Sequence, residues 1–219
     1  MATLVNLSNV EIIRESNRVL KRVNLTLKSG EIIMVHGNNC CGKSSLLQCV
    51  FGLIKPQSGT VNLLAEPLES LRFSQISALR RRIGYIDQSI TLLFDKSVKQ
   101  NLKSVLKASG MKDKDDIENR VSEVIELFGL SSKAETVATK LSCAEQQMLM
   151  IARAIVAKPE LLLADMPFNN LDSNSKKFVV DLFNRLTDEG AGIIMTALND
   201  KADALRNAST LHCANHTIE

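Results

Sequence analysis

Much that would point elsewhere is missing from this sequence. No apolar run approaches the roughly 20 residues needed to span a bilayer as a helix, so work at a membrane would require a partner that holds the chain there. The stretch Met1–Asn6 has neither a charged segment nor a long apolar one, so it gives no sign of a secretory signal. Charge of one sign is not massed either. The 27 basic and 24 acidic residues leave a net charge of +3, too small and too dispersed to argue for nucleic acid. Tryptophan is absent and tyrosine occurs once. The five cysteines (Cys40, Cys41, Cys49, Cys143 and Cys213) are odd in number and lack zinc-ligand spacing. They read as reduced thiols of a cytosolic protein. Internal repeats, low-complexity tracts and disordered linkers are missing too. A length of 219 residues fits one large domain, or one domain with an inserted subdomain.

What is there begins at residue 37. The stretch Gly37-Asn38-Asn39-Cys40-Cys41-Gly42-Lys43-Ser44-Ser45 fits G-x-x-x-x-G-K-[ST], the phosphate-binding loop. Its flanks fit as well. Glu31–Val35 is apolar and β-branched like a buried strand, and Ser44–Phe51 reads as the first turns of a helix. Gly37 and Gly42 permit backbone angles closed to other residues. The loop's N–H groups and the positive helix end can then surround phosphate oxygens. In such a loop Lys43 reaches the β- and γ-phosphates, and the Ser44 hydroxyl binds Mg²⁺. Thiols in Cys40-Cys41 beside Lys43 also admit a redox reading; small residues tolerated in a loop are the preferred one.

Around this motif the pattern predicts an α/β protein. Residues 3–7 and 19–27 read as strands, with Val23, Leu25 and Leu27 alternating with polar residues. The first helix is expected to end near Gly52, and Thr60–Leu64 to form a short strand. Leu71–Arg82 is mixed, and its basic run Arg80-Arg81-Arg82 reads as a solvated face. Ile83–Asp87 is another strand. Residues 89–157 are mostly helical. Ile117, Val121, Ile125 and Phe128 share one helical face, opened by acidic residues and closed by Gly129. Ser142 and Glu145 form a capping box, and Pro159 ends the helix that follows. Leu161–Asp165 is a near-continuous apolar strand with an acid at its end, as in a parallel sheet covered on both faces. Ser175–Leu186 is an amphipathic helix and Ile193–Thr196 a last core strand. Residues 199–219 are weakly patterned. The predicted order is α/β core (1–88), helical insert (89–157) and α/β core (158–219).

Further motifs fall in a specific order. Gln88 follows the strand at 83–87. Leu141-Ser142-Cys143-Ala144-Glu145-Gln146-Gln147 stands where L-S-G-G-[QE]-Q-Q belongs, and Ala152-Arg153-Ala154 follows it. Leu161–Asp165 matches the Walker B strand, and Asn170-Leu171-Asp172 the D-loop. With these the chain resembles the ATP-binding cassette (ABC) family over nearly its full length. Leu79–Gly84, Leu163-Ala164-Asp165 and Asn170-Leu171-Asp172 look most like the FtsE cell-division type, close to the lipoprotein-release and macrolide-export ATPases.

The resemblance implies a P-loop NTPase core of the RecA-like kind, with a small antiparallel β subdomain and an inserted helical subdomain. It implies ATP and Mg²⁺ as ligands, bound head to tail between two cassettes. Lys43, Gln88 and Asp165 take the catalytic roles, with Ser44, Gln88 and Asp165 around the metal. The loop Gly37–Ser45 and Ile13, at the adenine position, hold nucleotide, and Ser142 caps it on the other cassette. The implied partners are a second ABC domain, identical or not, and a permease-like membrane subunit, an FtsX-like one for the FtsE type. A membrane coupling helix would meet Gln88 and Leu92-Leu93-Phe94, a triplet that core packing would also explain. The implied location is the inner face of the cell membrane.

The departures from the family pattern bear on activity. The water-polarising glutamate after Walker B is replaced by Met166, and a thioether takes no proton at neutral pH. A positioned general base contributes roughly 10²–10⁴ in rate. The H-loop histidine position falls on Leu198, with Asn199 adjacent. Cys143-Ala144 replace the signature glycines, whose missing Cβ lets backbone approach phosphate. Cys40 stands at a usual glycine, and Ile13 lacks the ring that stacks on adenine. The expectation is a cassette that binds MgATP and hydrolyses it weakly. The alternative is a non-hydrolysing pseudo-ATPase whose nucleotide-bound dimer is itself the signal.

Overall fold

The computed structural model describes residues 1–199 and 204–219. Two long strands open the chain, β1 (Thr3–Arg14) and β2 (Asn17–Lys28), paired antiparallel. Both outrun the predicted segments. The turn between them is Glu15-Ser16, with φ of 49° and 66°. Two successive left-handed residues match the right-handed twist of a hairpin, a position Asn-Gly usually fills, so the sequence carries no turn signal there. The β1–β2 register shifts between Leu7 and Val10, around Asn9 at φ 50°. That irregularity lets β1 keep Val5, Leu7, Val10 and Ile12 all inside.

Next come β3 (Ile32–His36), α1 (Lys43–Val50), β4 (Ser58–Leu63) and the short β5 (Glu66–Pro67). The antiparallel sheet has the order β2-β1-β4-β5. The predicted mixed segment contains a helix, α2 (Phe73–Arg80). Its basic run is more than a solvated face. Arg80 donates to the carbonyls of Phe51 at 3.0 Å and Gly52 at 2.8 Å, closing the carboxyl end of α1. Arg82 pairs with Glu160 through two bonds of 2.6 and 2.7 Å, and Arg81 is exposed.

Between β6 (Ile83–Ile86) and β7 (Leu161–Ala164) lie α3 (Val98–Ser109), α4 (Lys114–Leu127) and α5 (Cys143–Ile155). The capping signals work as read. The Asp113 carboxylate accepts from the Asp115 and Asp116 N–H groups, and Ser142 and Glu145 cap α5 reciprocally. Beyond β7 the chain forms α6 (Ser173–Asp188), β8 (Gly192–Ala197), β9 (Ala208–Ala214) and β10 (Thr217–Ile218). The described residues of the weakly patterned carboxyl-terminal stretch therefore include two strands, and β9 is internal to a sheet. That second sheet has the order β10-β9-β3-β8-β7-β6. Its pairings β9–β3, β3–β8, β8–β7 and β7–β6 are all parallel.

The parallel sheet separates two cores, and strand alternation assigns residues to each. Ile33, Val35, Leu161, Leu163 and Ile194 face the antiparallel sheet and α1. Ile32, Met34, Leu162, Ala164, Ile193 and Met195 face the helices. Both faces are covered, so these strands read as unbroken apolar runs. Each fully buried Leu, Ile or Val contributes roughly 1.5–3 kcal/mol of transfer free energy.

Candidate functional site

The loop at residues 37–42 leaves the carboxyl end of β3 and enters α1. Its two glycines are required by different neighbours. Gly37 has φ 153°, and a Cβ there would stand 2.3 Å from the Cys213 carbonyl oxygen. Gly42 has φ 114°, and a Cβ there would meet Leu20 at 2.9 Å. The loop curls around its own cation. Lys43 is 4 % exposed, and its Nζ donates to the carbonyls of Gly37 at 2.8 Å and Asn38 at 2.7 Å. Cys40 holds φ 62°, a left-handed conformation that suits the glycine usual at this position.

A cavity of about 470 Å³ opens over this loop. Asn39, Cys40, Gly42, Lys43, Ser44 and Ser45 line it together with Gln88, Met166 and Val19. The fold therefore gathers the loop, Gln88 and Met166. Asp165, the residue before Met166, does not line the cavity and is 2 % exposed. Its carboxylate accepts a 2.5 Å hydrogen bond from the Thr196 hydroxyl, whose oxygen accepts in turn from the Met166 N–H at 2.9 Å. Thr196 thus fixes both the buried acid and the backbone of the next residue. Met166 itself adopts φ 50°. A buried carboxylate, the Ser44 hydroxyl and the Gln88 amide supply hard oxygen donors, the set that suits Mg²⁺. The loop's N–H groups and the start of α1 suit phosphate.

Other expected site residues stand apart. Ile13, near the hairpin end of β1, is 37 % exposed and does not line the cavity. Val19, on the paired strand, does. Leu198 is 55 % exposed just past β8. Ser142 and Cys143 are exposed at the start of α5 and line no part of the cavity. At that helix start Glu145 accepts from the Ser142 N–H at 2.8 Å, which with the Ser142 hydroxyl holds its carboxyl below the usual carboxylate range. Gln147, 2 % exposed, donates to the Pro167 carbonyl at 3.0 Å and ties α5 to the turn after β7. In the D-loop, Asn170 has φ 61°, Leu171 is buried, and Asp172 accepts from the Ser175 N–H at 2.8 Å to cap α6.

Sequence reasoning missed Val19 and Thr196. Thr196 left a signal, a hydroxyl in an otherwise apolar core strand, where a buried polar group must find partners. Val19 left none, since its role depends on the hairpin folding over the loop.

A family model described as "ABC transporter" matches residues 20–169. Among curated proteins, the chain is 36% identical over 187 residues to the methionine import ATP-binding protein MetN 1 of Acinetobacter baylyi, across 85% of this chain and 52% of that protein. It is 35% identical over 178 residues to the cell division ATP-binding protein FtsE of Escherichia coli K12, across 81% of this chain and 80% of that one. The chain spans about half the length of the MetN relatives it matches. Among solved structures, it superposes with a TM-score of 0.89 and 26% identity on the ATP-binding cassette MJ0796, seen as a post-hydrolysis dimer bound to ADP and phosphate. That match covers 99% of this chain and 97% of the other.

Proposed function

The chain belongs to the ABC transporter family, and from that premise we propose that it is an ATP-binding subunit that holds MgATP between two cassettes and hydrolyses it weakly. The observation that carries this reading is the cavity wall. Lys43, Ser44 and Gln88 face the cavity together with Met166, not with a carboxylate. Lys43 and the loop N–H groups bind the phosphates, while Ser44, Gln88 and Asp165 take the metal side. Mg²⁺ held by these residues would neutralise charge on the phosphate oxygens. With no side chain at position 166 able to take a proton from water, the general-base contribution of roughly 10²–10⁴ is lost.

Exposure of Ser142 at the head of α5, away from its own cavity, supports a role in capping the nucleotide of a second cassette, identical or not. A permease-like membrane subunit is the second partner. The triplet at residues 92–94 divides here: Leu92 is buried in the core, while Leu93 and Phe94 are 40 % and 42 % exposed. The exposed pair supports docking of a partner helix beside the segment that carries Gln88. An FtsX-like partner and a place in cell division rest on the FtsE-type runs at 79–84, 163–165 and 170–172. MetN and FtsE relatives at 36% and 35% identity do not separate the two types. Met166 and the exposed apolar Leu198 favour the second reading, a nucleotide-dependent switch or scaffold.

Incubation with labelled MgATP tests this. Retained, unconverted ATP and a nucleotide-dependent dimer are expected. Multiple-turnover phosphate release at ordinary ABC rates, abolished by Lys43→Ala, would overturn the proposal of weak hydrolysis.

A further inference from the structure

Two thiols meet behind the phosphate loop. Cys41 lies in the loop and is half-buried, whereas Cys213 lies on β9 and is buried. The Cys213 thiol donates to the Cys41 carbonyl oxygen at 3.2 Å. The Lys43 Nζ is 3.6 Å from the Cys41 Sγ. Gly37 completes the contact, since a Cβ built on it would lie 3.1 Å from the Cys41 Sγ and 2.3 Å from the Cys213 carbonyl. The loop and β9 therefore touch with no side chain between them.

We propose that Cys41 and Cys213 form an oxidative modification site, in which a hydroperoxide converts the thiol pair to a disulfide that fastens the phosphate loop to β9 and closes the nucleotide site. Two balanced steps describe it. The Cys41 sulfur attacks the distal peroxide oxygen, so that Cys41–SH and ROOH become Cys41–SOH and ROH. The Cys213 sulfur then displaces that hydroxyl, forming the S–S bond and releasing one water. The peroxide O–O bond is reduced, and the two sulfurs are oxidised by one electron each.

The order of attack follows from the surroundings. Burial pushes the Cys213 thiol up to about 12, which makes it the poorer first nucleophile; in the second step its proton leaves with the displaced hydroxyl as water. Cys41 is the more accessible of the two and has a cation beside it, the setting in which thiols react with oxidants. Joining the sulfurs pulls the loop towards β9. The N–H groups that face phosphate, and the two carbonyls that hold Lys43, then leave their positions. Bound MgATP holds the loop in its open form and opposes the reaction, a consequence that rests on the proposed nucleotide site.

The test is hydrogen peroxide treatment of the purified full chain, with and without MgATP, followed by non-reducing peptide mapping and a nucleotide-binding measurement. Expected results are a Cys41–Cys213 link, slowed by MgATP, and a fall of at least tenfold in MgATP affinity that dithiothreitol reverses. Cys213→Ser should bind MgATP within twofold of the unaltered chain and keep that binding through peroxide treatment. Cys213→Ala replaces it if the serine chain does not fold, and the mapping needs no variant. A Cys40–Cys41 link, a link between chains, or oxidation of Cys41 alone would overturn the proposal. So would equal, reversible loss of binding in the Cys213 variant. Failure of the reduced chain to bind MgATP would instead count against the nucleotide reading and leave the mapping result standing.

Discussion

Across one cavity at the carboxyl edge of the parallel sheet, the loop after β3 faces the turn after β7. The loop carries the groups that the proposed phosphate binding uses. Its glycines sit where a Cβ would collide, Lys43 is buried against loop carbonyls, and Ser44 lines the cavity. The turn keeps Asp165 but places Met166 where the family carries a base. Its backbone is held by Thr196, whose hydroxyl accepts from the Met166 N–H whatever side chain stands at that position. In the proposed reading, phosphate binding is spread over several groups of the loop, its backbone N–H groups as well as the Lys43 side chain. In the same reading, the general base depends on the one side chain at position 166, and the Thr196 bond that supports it reaches only the backbone.

That contrast can be tested from both sides. Met166→Glu should have the largest effect. It places a carboxylate on a backbone already positioned, and phosphate release in steady state should rise by about 10²–10⁴. Unchanged release would show that the turn lacks more than its base. Lys43→Ala should weaken the other side. Charged hydrogen bonds contribute roughly 1.5–3 kcal/mol each, so equilibrium binding of labelled MgATP should weaken by about 10²-fold. Binding within threefold of the unaltered chain would mean that the loop N–H groups suffice.

Thr196→Val removes the shared support. It strands a buried carboxylate and a buried N–H, and should lower unfolding free energy by about 2 kcal/mol, read as a shifted urea midpoint at constant slope. No shift would mean that water replaces the hydroxyl. Cys40→Gly should have the smallest effect. Relief of about 1 kcal/mol of left-handed strain is partly offset by glycine's backbone entropy. The expected gain is about 0.5 kcal/mol in the same urea experiment, with MgATP binding retained.

Legibility in the sequence followed the range of the interactions. The phosphate loop, the capping of α4 and α5 and the double-faced apolar strands are set by residues a few positions apart, and they could be read directly. The hairpin at Glu15-Ser16 could not, because its left-handed pair is imposed by strand pairing and not by residues that prefer it. The strand β9 was hidden for a similar reason. Its sequence, Ala-Ser-Thr-Leu-His-Cys-Ala, lacks a clean alternation, yet β3 pairs with it from Ile32–Ala208 to His36–His212. In the candidate site, Lys43, Ser44, Gln88 and Asp165 were found by motif. Thr196 and Val19 enter only through contacts between distant strands.

The sequence alone determined the loop, its helix, the acid at the end of β7 and the absence of a base beside it, because each is a local pattern of residue types. The tertiary structure alone decided that Met166 faces the cavity, that Ser142 lies outside it, and that Cys41 meets Cys213 across a separation of 172 positions. The physical reason is parallel pairing. The register of β3 against β9 and β8 brings the ends of distant strands to one edge, and no local preference in either segment specifies which ends will meet.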